Sequence, residues 1–200
     1  KASLTEPLSC VIHSIESARI QYGENVVVIG AGIMGIFHAL LARIKGARVI
    51  ISEPNKARRE LLNKLGFSET FSPLEEESIE KIRSLTENRG TDVVFVTTAI
   101  SEIAEQAVQM AAIYGRIILY SSYHPDLPIK LSPNKIHKKL ISVIGTANSN
   151  SKDFIKALNL LETGIIDPDP VISGYTDLDH IQDGMEKAVR PDTYRIVIRL

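Results

Sequence analysis

The feature that most constrains this chain is a run of four apolar β-formers, Val26-Val27-Val28-Ile29. It passes without a spacer into Gly30-Ala31-Gly32-Ile33-Met34-Gly35 and then into an amphipathic segment reaching Lys45. Glycines at this spacing are weak evidence alone, because they arise by chance. Their place between a buried strand and a helix supplies the specificity. Gly30 permits a tight turn, Gly32 lets backbone approach a pyrophosphate with no Cβ in the way, and Gly35 lets the helix pack close to the sheet. The free N–H groups and partial positive charge of the helix N-terminus then face the phosphates. Glu53 follows the next apolar run, Ala47–Ser52, and lies 23 residues after Gly30. A carboxylate there can accept both ribose hydroxyls of an adenosine. Strand, turn, helix and acid in this register imply a dinucleotide-binding unit. The competing reading is a ligand-free turn with a surface glutamate capping the next helix.

Short apolar runs continue to alternate with amphipathic segments, the pattern of a parallel sheet built from βαβ units. A first helix is expected over residues 8–21, with Leu8, Val11, Ile12, Ile15 and Ala18 on one face. Further helices are expected over 55–65, stopping at Gly66, and over 76–87, and one capped by Ser101 and running to Ala112. The third to sixth strands are placed at 67–71, 92–97, 116–121 and 140–145. A helix from Asn150 or Ser151 to Thr163, one from Asp177 or Asp179 to Val189, and a strand over Tyr194–Leu200 complete the chain. Six strands over residues 25–145 match a doubly wound α/β sheet of Rossmann type, order 3-2-1-4-5-6. A flavodoxin-like sheet begins the same way but gives no reason for the glycine turn and its acid. We assign residues 21–165 to this domain.

The balance of 23 Lys+Arg against 24 Asp+Glu gives a net charge of −1. That removes any general attraction to nucleic acid or anionic membrane. Lys138-Lys139 and Arg58-Arg59 read as solvated helix faces. Cys10 is the single cysteine, so an internal disulfide and a cysteine-rich zinc lobe are both excluded within these residues. A lone buried thiol fits a reducing compartment. No apolar stretch approaches the roughly 18 residues that span a bilayer, and Lys1-Ala-Ser-Leu-Thr-Glu-Pro7 lacks the layout of a signal peptide. A cytoplasmic protein is expected, and Lys1 in place of Met points to a processed or truncated chain. The five histidines, 13, 38, 124, 137 and 180, form no i,i+4 pair; His13 and His38 are expected to be packed or hydrogen-bonded rather than metal-bound.

The segment Thr5-Glu-Pro-Leu-Ser-Cys-Val-Ile-His13, followed by Gly30–Gly35, resembles the zinc-dependent branch of the medium-chain dehydrogenase/reductase family. It is most similar to the sorbitol, threonine and sugar-alcohol-phosphate dehydrogenases. Ala111–Leu119, Thr176–Met185 and Tyr194–Arg199 resemble that family's fifth-strand entry, late helix and closing strand, so the similarity covers essentially the whole chain. The resemblance implies an NAD-dependent enzyme that oxidises a secondary alcohol or polyol to a ketone, with zinc polarising the substrate oxygen. The family's G-H-E zinc-ligand segment and four-cysteine lobe do not occur in these residues. Residues 1–20 and 166–200 look like parts of the catalytic domain, and the chain alone is expected to be inactive, with no catalytic residue of its own.

Carried over residue by residue, the resemblance places Ile33 and Met34 by the pyrophosphate and Glu53 on the adenosine ribose. Arg58 falls by the adenine, or is a solvated helix arginine. Thr98 and Ala99 after the fourth strand are expected to line the cofactor site. Tyr120, Ser121 and Ser122 after the fifth, and Thr146 and Ala147 after the sixth, are expected to hold the nicotinamide side through backbone. Sorbitol dehydrogenases usually show an arginine near Ala147, which argues against sorbitol itself. Glu6 matches a glutamate at or beside the catalytic zinc, or simply caps the helix that begins at Pro7. The partners implied are a small alcohol and a second copy of the chain, in a homodimer or homotetramer joined at the sixth-strand edge. A nucleotide-sensing regulatory module and a zinc-free, NADP-dependent quinone-type reductase are the alternatives. The first does not need the Glu-Pro-Leu junction; Glu53 and Glu6 argue against the second.

Overall fold

The computed structural model describes residues 2–190 and 192–199. It is an α/β structure whose six parallel strands lie in the order β3-β2-β1-β4-β5-β6, the expected doubly wound arrangement. The strands are β1 (Asn25–Ile29), β2 (Arg48–Ser52), β3 (Thr70–Phe71), β4 (Thr91–Val96), β5 (Ala111–Leu119) and β6 (Ser142–Gly145). Strand alternation divides the core between the two faces of the sheet. Val26, Val28 and Phe95 point to one side, where α1 (Thr5–Ala18), α2 (Ile33–Ile44), α3 (Lys56–Lys64) and α7 (Ser151–Glu162) supply Leu8, Phe37, Leu62 and Ala157. Val27, Val94 and Ile117 point to the other, against Ile82 of α4 (Ser78–Leu85) and Ala104 and Val108 of α5 (Ser101–Met110). A separate parallel pair, β7 (Ile172–Thr176) and β8 (Arg195–Ile198), flanks α8 (Ile181–Ala188). Among the described residues, no helix is long and apolar enough to cross a membrane.

Several boundaries differ from the sequence expectation, each for a local reason. The first helix begins at Thr5 and ends at Ala18, because Arg19 turns left-handed (φ 50°) and donates its N–H to the carbonyl of Glu16. Its expected apolar face, Leu8 to Ala18, is buried. Cys10 lies off that face and is half-buried rather than buried. The third strand shortens to two residues, and β5 starts early, at Ala111, with Tyr114 left-handed (φ 61°). Ser101 does not cap α5: Ile100 occupies the cap position without a side-chain bond. A helix absent from the expectation, α6 (Pro133–Lys139), is capped by Ser132 and has Pro133 in its first turn. Left-handed Leu140 (φ 54°) ends it, so the sixth strand starts only at Ser142. The late helix begins at Ile181 because Asp177 accepts the N–H of His180 in a preceding turn. The strand β7 was unforeseen, and the closing strand covers Arg195–Ile198; Leu200, placed in it by sequence, lies outside the described residues. Asn150 caps α7 in a capping box with Asp153.

His38 is fully buried between α1 and α2. Its Nδ1–H donates to the carbonyl of Met34 at 2.8 Å, which leaves Nε2 to accept from the hydroxyl of Ser14 at 2.9 Å. The ring sits 4.6 Å from Phe95 and 4.7 Å from Tyr120. Burial pushes its pKa down to about 4, opposed in part by the bond to Met34. His13 is hydrogen-bonded to Asp153 at 2.9 Å, so both histidines are hydrogen-bonded.

A depressed folded-state pKa means that the unfolded chain binds the extra proton first as pH falls. The stabilisation is complete above about pH 6.5 and is lost between there and about pH 4, to a limit of roughly 3 kcal/mol. Chemical-denaturant midpoints measured from pH 7 to pH 4 should decline steeply for the wild type. In His38→Gln, less stable at neutral pH, that component of the slope should vanish; an unchanged slope contradicts the assignment.

Candidate functional site

The parallel registers place a row of residues just past the carboxyl ends of four strands. Ile29 pairs with Val96, Val96 with Leu119, and Leu119 with Gly145. Gly30, Thr97, Tyr120 and Thr146 therefore stand side by side at one edge of the sheet. Such a carboxyl edge, where strand order reverses between β1 and β4, is where open α/β sheets take ligands.

Gly30 is left-handed (φ 98°), its N–H held at 2.8 Å by the carbonyl of Ser52. A Cβ on Gly35 would lie 1.9 Å from the carbonyl oxygen of Gly30, whereas a Cβ on Gly32 would meet nothing within 4 Å. Gly35 is thus required by helix–strand packing, whereas nothing crowds a side chain at Gly32. At the Gly32 cap position of α2 there is no capping side-chain bond, and the first turn holds no acid. Its free N–H groups face the sheet edge without an internal anion to meet them.

Glu53 is 3% exposed. Its Oε2 accepts the N–H of Ala31 at 2.7 Å and its Oε1 the N–H of Asn55 at 2.8 Å. The Arg58 guanidinium lies 4.0 Å from Oε2 and 5.4 Å from the ring centre of Tyr194. Burial, with Glu53 adding to it and Arg58 opposing, pushes the Tyr194 phenol up to about 12. Arg58 and Arg59 are not the solvated pair expected from sequence. Arg59 clamps the turn after β2, donating to the carbonyls of Glu53 at 2.8 Å and Pro54 at 2.7 Å.

A cleft of about 610 Å³ opens on these groups. It brings together Gly30, Gly32, Glu53, Arg58 and Thr98 of the expected site. Ile33 and Gly35 lie in the first turn of α2 and do not line the cleft, and Ala99 is exposed beside Thr98. Met34 and Tyr120 meet farther along the row, the phenol donating to the Met34 sulfur at 3.5 Å; burial holds the Tyr120 pKa well above its usual value. Ser121, Ser122 and Ala147 follow β5 and β6 without lining that cleft. The hydroxyls of Thr98 and Thr146 are buried and unpartnered among the described residues. Glu6 is exposed on α1; the Cys10 thiol donates to its Oε1 at 3.2 Å. Among the described residues no three His, Cys, Asp or Glu side chains converge on a metal position. Sequence reasoning missed Thr97, whose hydroxyl donates to the Ile29 carbonyl at 2.8 Å, and the wall formed by Pro73, Leu74, Ile100, Ile103 and Gln106. Counting past the end of β4 would have found Thr97.

The sequence model of one family, described as zinc-binding dehydrogenase, matches residues 34–163. The chain belongs to the zinc-binding dehydrogenase family. Among the relatives of the chain is 2-dehydro-3-deoxy-L-galactonate 5-dehydrogenase of Pseudoalteromonas atlantica, 31% identical over 90% of the chain and 52% of the relative. L-threonine 3-dehydrogenase of Pyrococcus abyssi is 29% identical over all of the chain and 58% of the relative. A Sinorhizobium meliloti 1021 protein described as a zinc-binding dehydrogenase, solved bound to NADP, superimposes with a TM-score of 0.91 at 26% identity, over 98% of this chain and 58% of that one. The chain spans a little over half the length of the curated relatives it matches.

The two glycines make separable demands. Gly35→Ala should cost about 3 kcal/mol or more, because the new methyl strikes backbone rather than a side chain that can swing away. At this chain length that lowers the melting temperature by roughly 10 °C. Gly32→Ala should melt within about 2 °C of the wild type, since small surface changes fall within ~0.5 kcal/mol. Equal losses in thermal melts would reject the distinction.

Proposed function

We propose that residues 21–165 bind NAD(H) along this row and cleft. Residues 1–20 and 166–200 then belong to the catalytic part of a longer zinc-dependent dehydrogenase that oxidises a secondary alcohol or polyol to a ketone. The observation that carries the reading is Glu53, a buried carboxylate gripped by the glycine turn itself at 2.7 Å. The residues fit a dinucleotide. Gly32 leaves room for a pyrophosphate under the free N–H groups of α2, and Glu53 keeps unused lone pairs for a ribose diol. Unpartnered Thr98 and Thr146 hydroxyls lie past β4 and β6. When bound, NAD supplies the ring that accepts hydride; the chain's part is to hold and orient it. In this proposal Met34 lies by the pyrophosphate, and Tyr120–Ser122, Thr146 and Ala147 form the nicotinamide side. Glu6 and Cys10 offer one pair of donors and not a zinc centre among the described residues. Glu6 enters only as a carboxylate that donors of the longer enzyme would join. A reducing, cytoplasmic setting suits the lone Cys10 thiol.

Cofactor choice follows from charge. A 2′-phosphate beside Glu53 would meet repulsion on the order of 4 kcal/mol per charge pair at ~4 Å and an effective dielectric near 20. Arg58 could offset part of it, but it is already placed between Glu53 and Tyr194. The related Sinorhizobium meliloti protein is solved with NADP, so the choice belongs to the residues around the ribose rather than to the fold. Titration by calorimetry should give at least about a tenfold preference for NADH over NADPH, ~1.4 kcal/mol. Glu53→Ser should bring the ratio toward unity. Equal affinities in the wild type, or tighter NADPH, would defeat the reading.

We also propose association through β6. Val143 and Ile144 of this edge strand are only partly buried, and the backbone on its outer side has no strand partner among the described residues. An unpaired edge of this kind invites a second copy across a two-fold axis. Light scattering at high micromolar concentration should report a dimer or larger species, and Ile144→Lys should shift it toward monomer. A wild-type monomer under those conditions rules this interface out.

A further inference from the structure

Three side chains form a closed group where α2 meets the residue just past β5. Met34 and His38 stand four positions apart, on one face of α2. The Tyr120 phenol donates to the Met34 sulfur at 3.5 Å. The His38 ring meets the Tyr120 ring edge-on, with 4.7 Å between centres and 81° between planes. The His38 Nδ1–H completes the group by donating to the Met34 carbonyl at 2.8 Å. That carbonyl already takes the backbone N–H of His38, as helix geometry requires. The ring bond therefore rescues no stranded backbone group; it fixes the plane of the imidazole. The Ser14 hydroxyl, donating to Nε2 at 2.9 Å, fixes the same plane from α1, and Phe95 of β4 backs the ring at 4.6 Å.

His38 and Ser14 are both fully buried. Burying an imidazole is costly unless both nitrogens are bonded, and here both are. An aliphatic side chain would fill the space without that cost, but would leave the Tyr120 ring without a fixed edge to lean on. Buried polar networks that are fully satisfied specify a single arrangement. Met34 is anchored by α2 itself, so the member of the group that His38 can hold or release is the Tyr120 ring. We propose that His38 is a positioning residue: by fixing the Tyr120 ring, it sets where the nicotinamide end of the bound dinucleotide lies. The inference rests on the dinucleotide reading above and extends it. His38 is shut off from the cleft and acts only through Tyr120. Its bond from Ser14 makes α1 a party to the placement, so a shift of α1 along α2 is passed to the nicotinamide side.

The test compares NADH with ADP-ribose, which shares the adenosine and pyrophosphate but lacks the nicotinamide ring. Both are titrated by calorimetry against the wild-type chain, His38→Leu, Tyr120→Phe, the double variant and Ser14→Ala. Titrations are run well below each melting temperature, so that lost stability alone moves both ligands together. The wild type should prefer NADH. His38→Leu should cut that preference at least about threefold, with ADP-ribose affinity unchanged within about twofold. Tyr120→Phe, which removes only the bond to Met34, should also cut it. The double variant should do no worse than the larger single effect, within about twofold, because both act along one route. Ser14→Ala should shift the ratio in the same direction by less, and decides the matter if His38→Leu does not fold. Variants at His38 and Ser14 that weaken both ligands equally, or leave the ratio unchanged, overturn the proposal. Effects of His38→Leu and Tyr120→Phe that multiply in full overturn it too, as does equal wild-type affinity for the two ligands. If neither ligand binds the wild type, the dinucleotide reading itself falls and takes this inference with it.

Discussion

The arrangement depends on one close contact, the approach of α2 to the end of β1 at Gly35 and Gly30. The space for a Cβ at Gly35 is already filled by a carbonyl oxygen 1.9 Å from where the atom would sit. Helix and strand can come this near only because neither contributes a side chain at the crossing. The consequence is positional. The first turn of α2 is drawn against the carboxyl edge of the sheet, and Gly30 must turn left-handed to join them. The same tight turn aims the Ala31 N–H at Glu53. Loosen the crossing and the N-terminal end of the helix, the turn and the carboxylate lose their common reference.

Glu53 shows how the sheet carries chemistry as well as shape. A carboxylate buried to 3% exposure would be expensive without partners. It receives two backbone N–H bonds, from elements on either side of it, and lies near one guanidinium. Backbone donors are fixed by the fold, so the orientation of the carboxylate does not depend on flexible side chains. A carboxylate has about four acceptor positions, so two bonds leave capacity for two more. Two neutral donors side by side, as in a ribose diol, suit that remainder far better than a dianion does.

Much of this was legible in the sequence because the decisive residues act through short-range rules. Gly30, Gly32 and Gly35 are identifiable from their place between a buried strand and a helix, and Glu53 from its distance along the chain. The strand order followed from the alternation of apolar runs and helices. What escaped was set by contacts distant in sequence. Arg59 reads as a solvated helix residue, yet its guanidinium clamps the turn after β2. Nothing local announces that Tyr194 leans on Arg58, since 136 residues separate them (194 − 58). Single left-handed residues, Arg19, Tyr114 and Leu140, moved element boundaries by several positions; none is a glycine, so composition gave no warning.

The terminal segments are tied into the side of the sheet that faces the proposed cofactor. Helix α1 is joined to α2 through Ser14 and His38, and His38 touches Tyr120, the residue of the row just past β5. Ser9 of α1 meets Ser149 just after β6 at 2.8 Å. At the other end of the chain, Tyr194 reaches Arg58 beside Glu53. Each of these links runs from an element outside the core of the sheet to a residue in or beside the row. Polar contacts of this kind, partly or fully shielded from water, fix geometry more than they add stability, because an unsatisfied partner costs more than a satisfied pair contributes. The row at the carboxyl edge is therefore positioned from three directions: by strand register beneath it, by α1 behind it, and by the segment around Tyr194 at its Glu53 end.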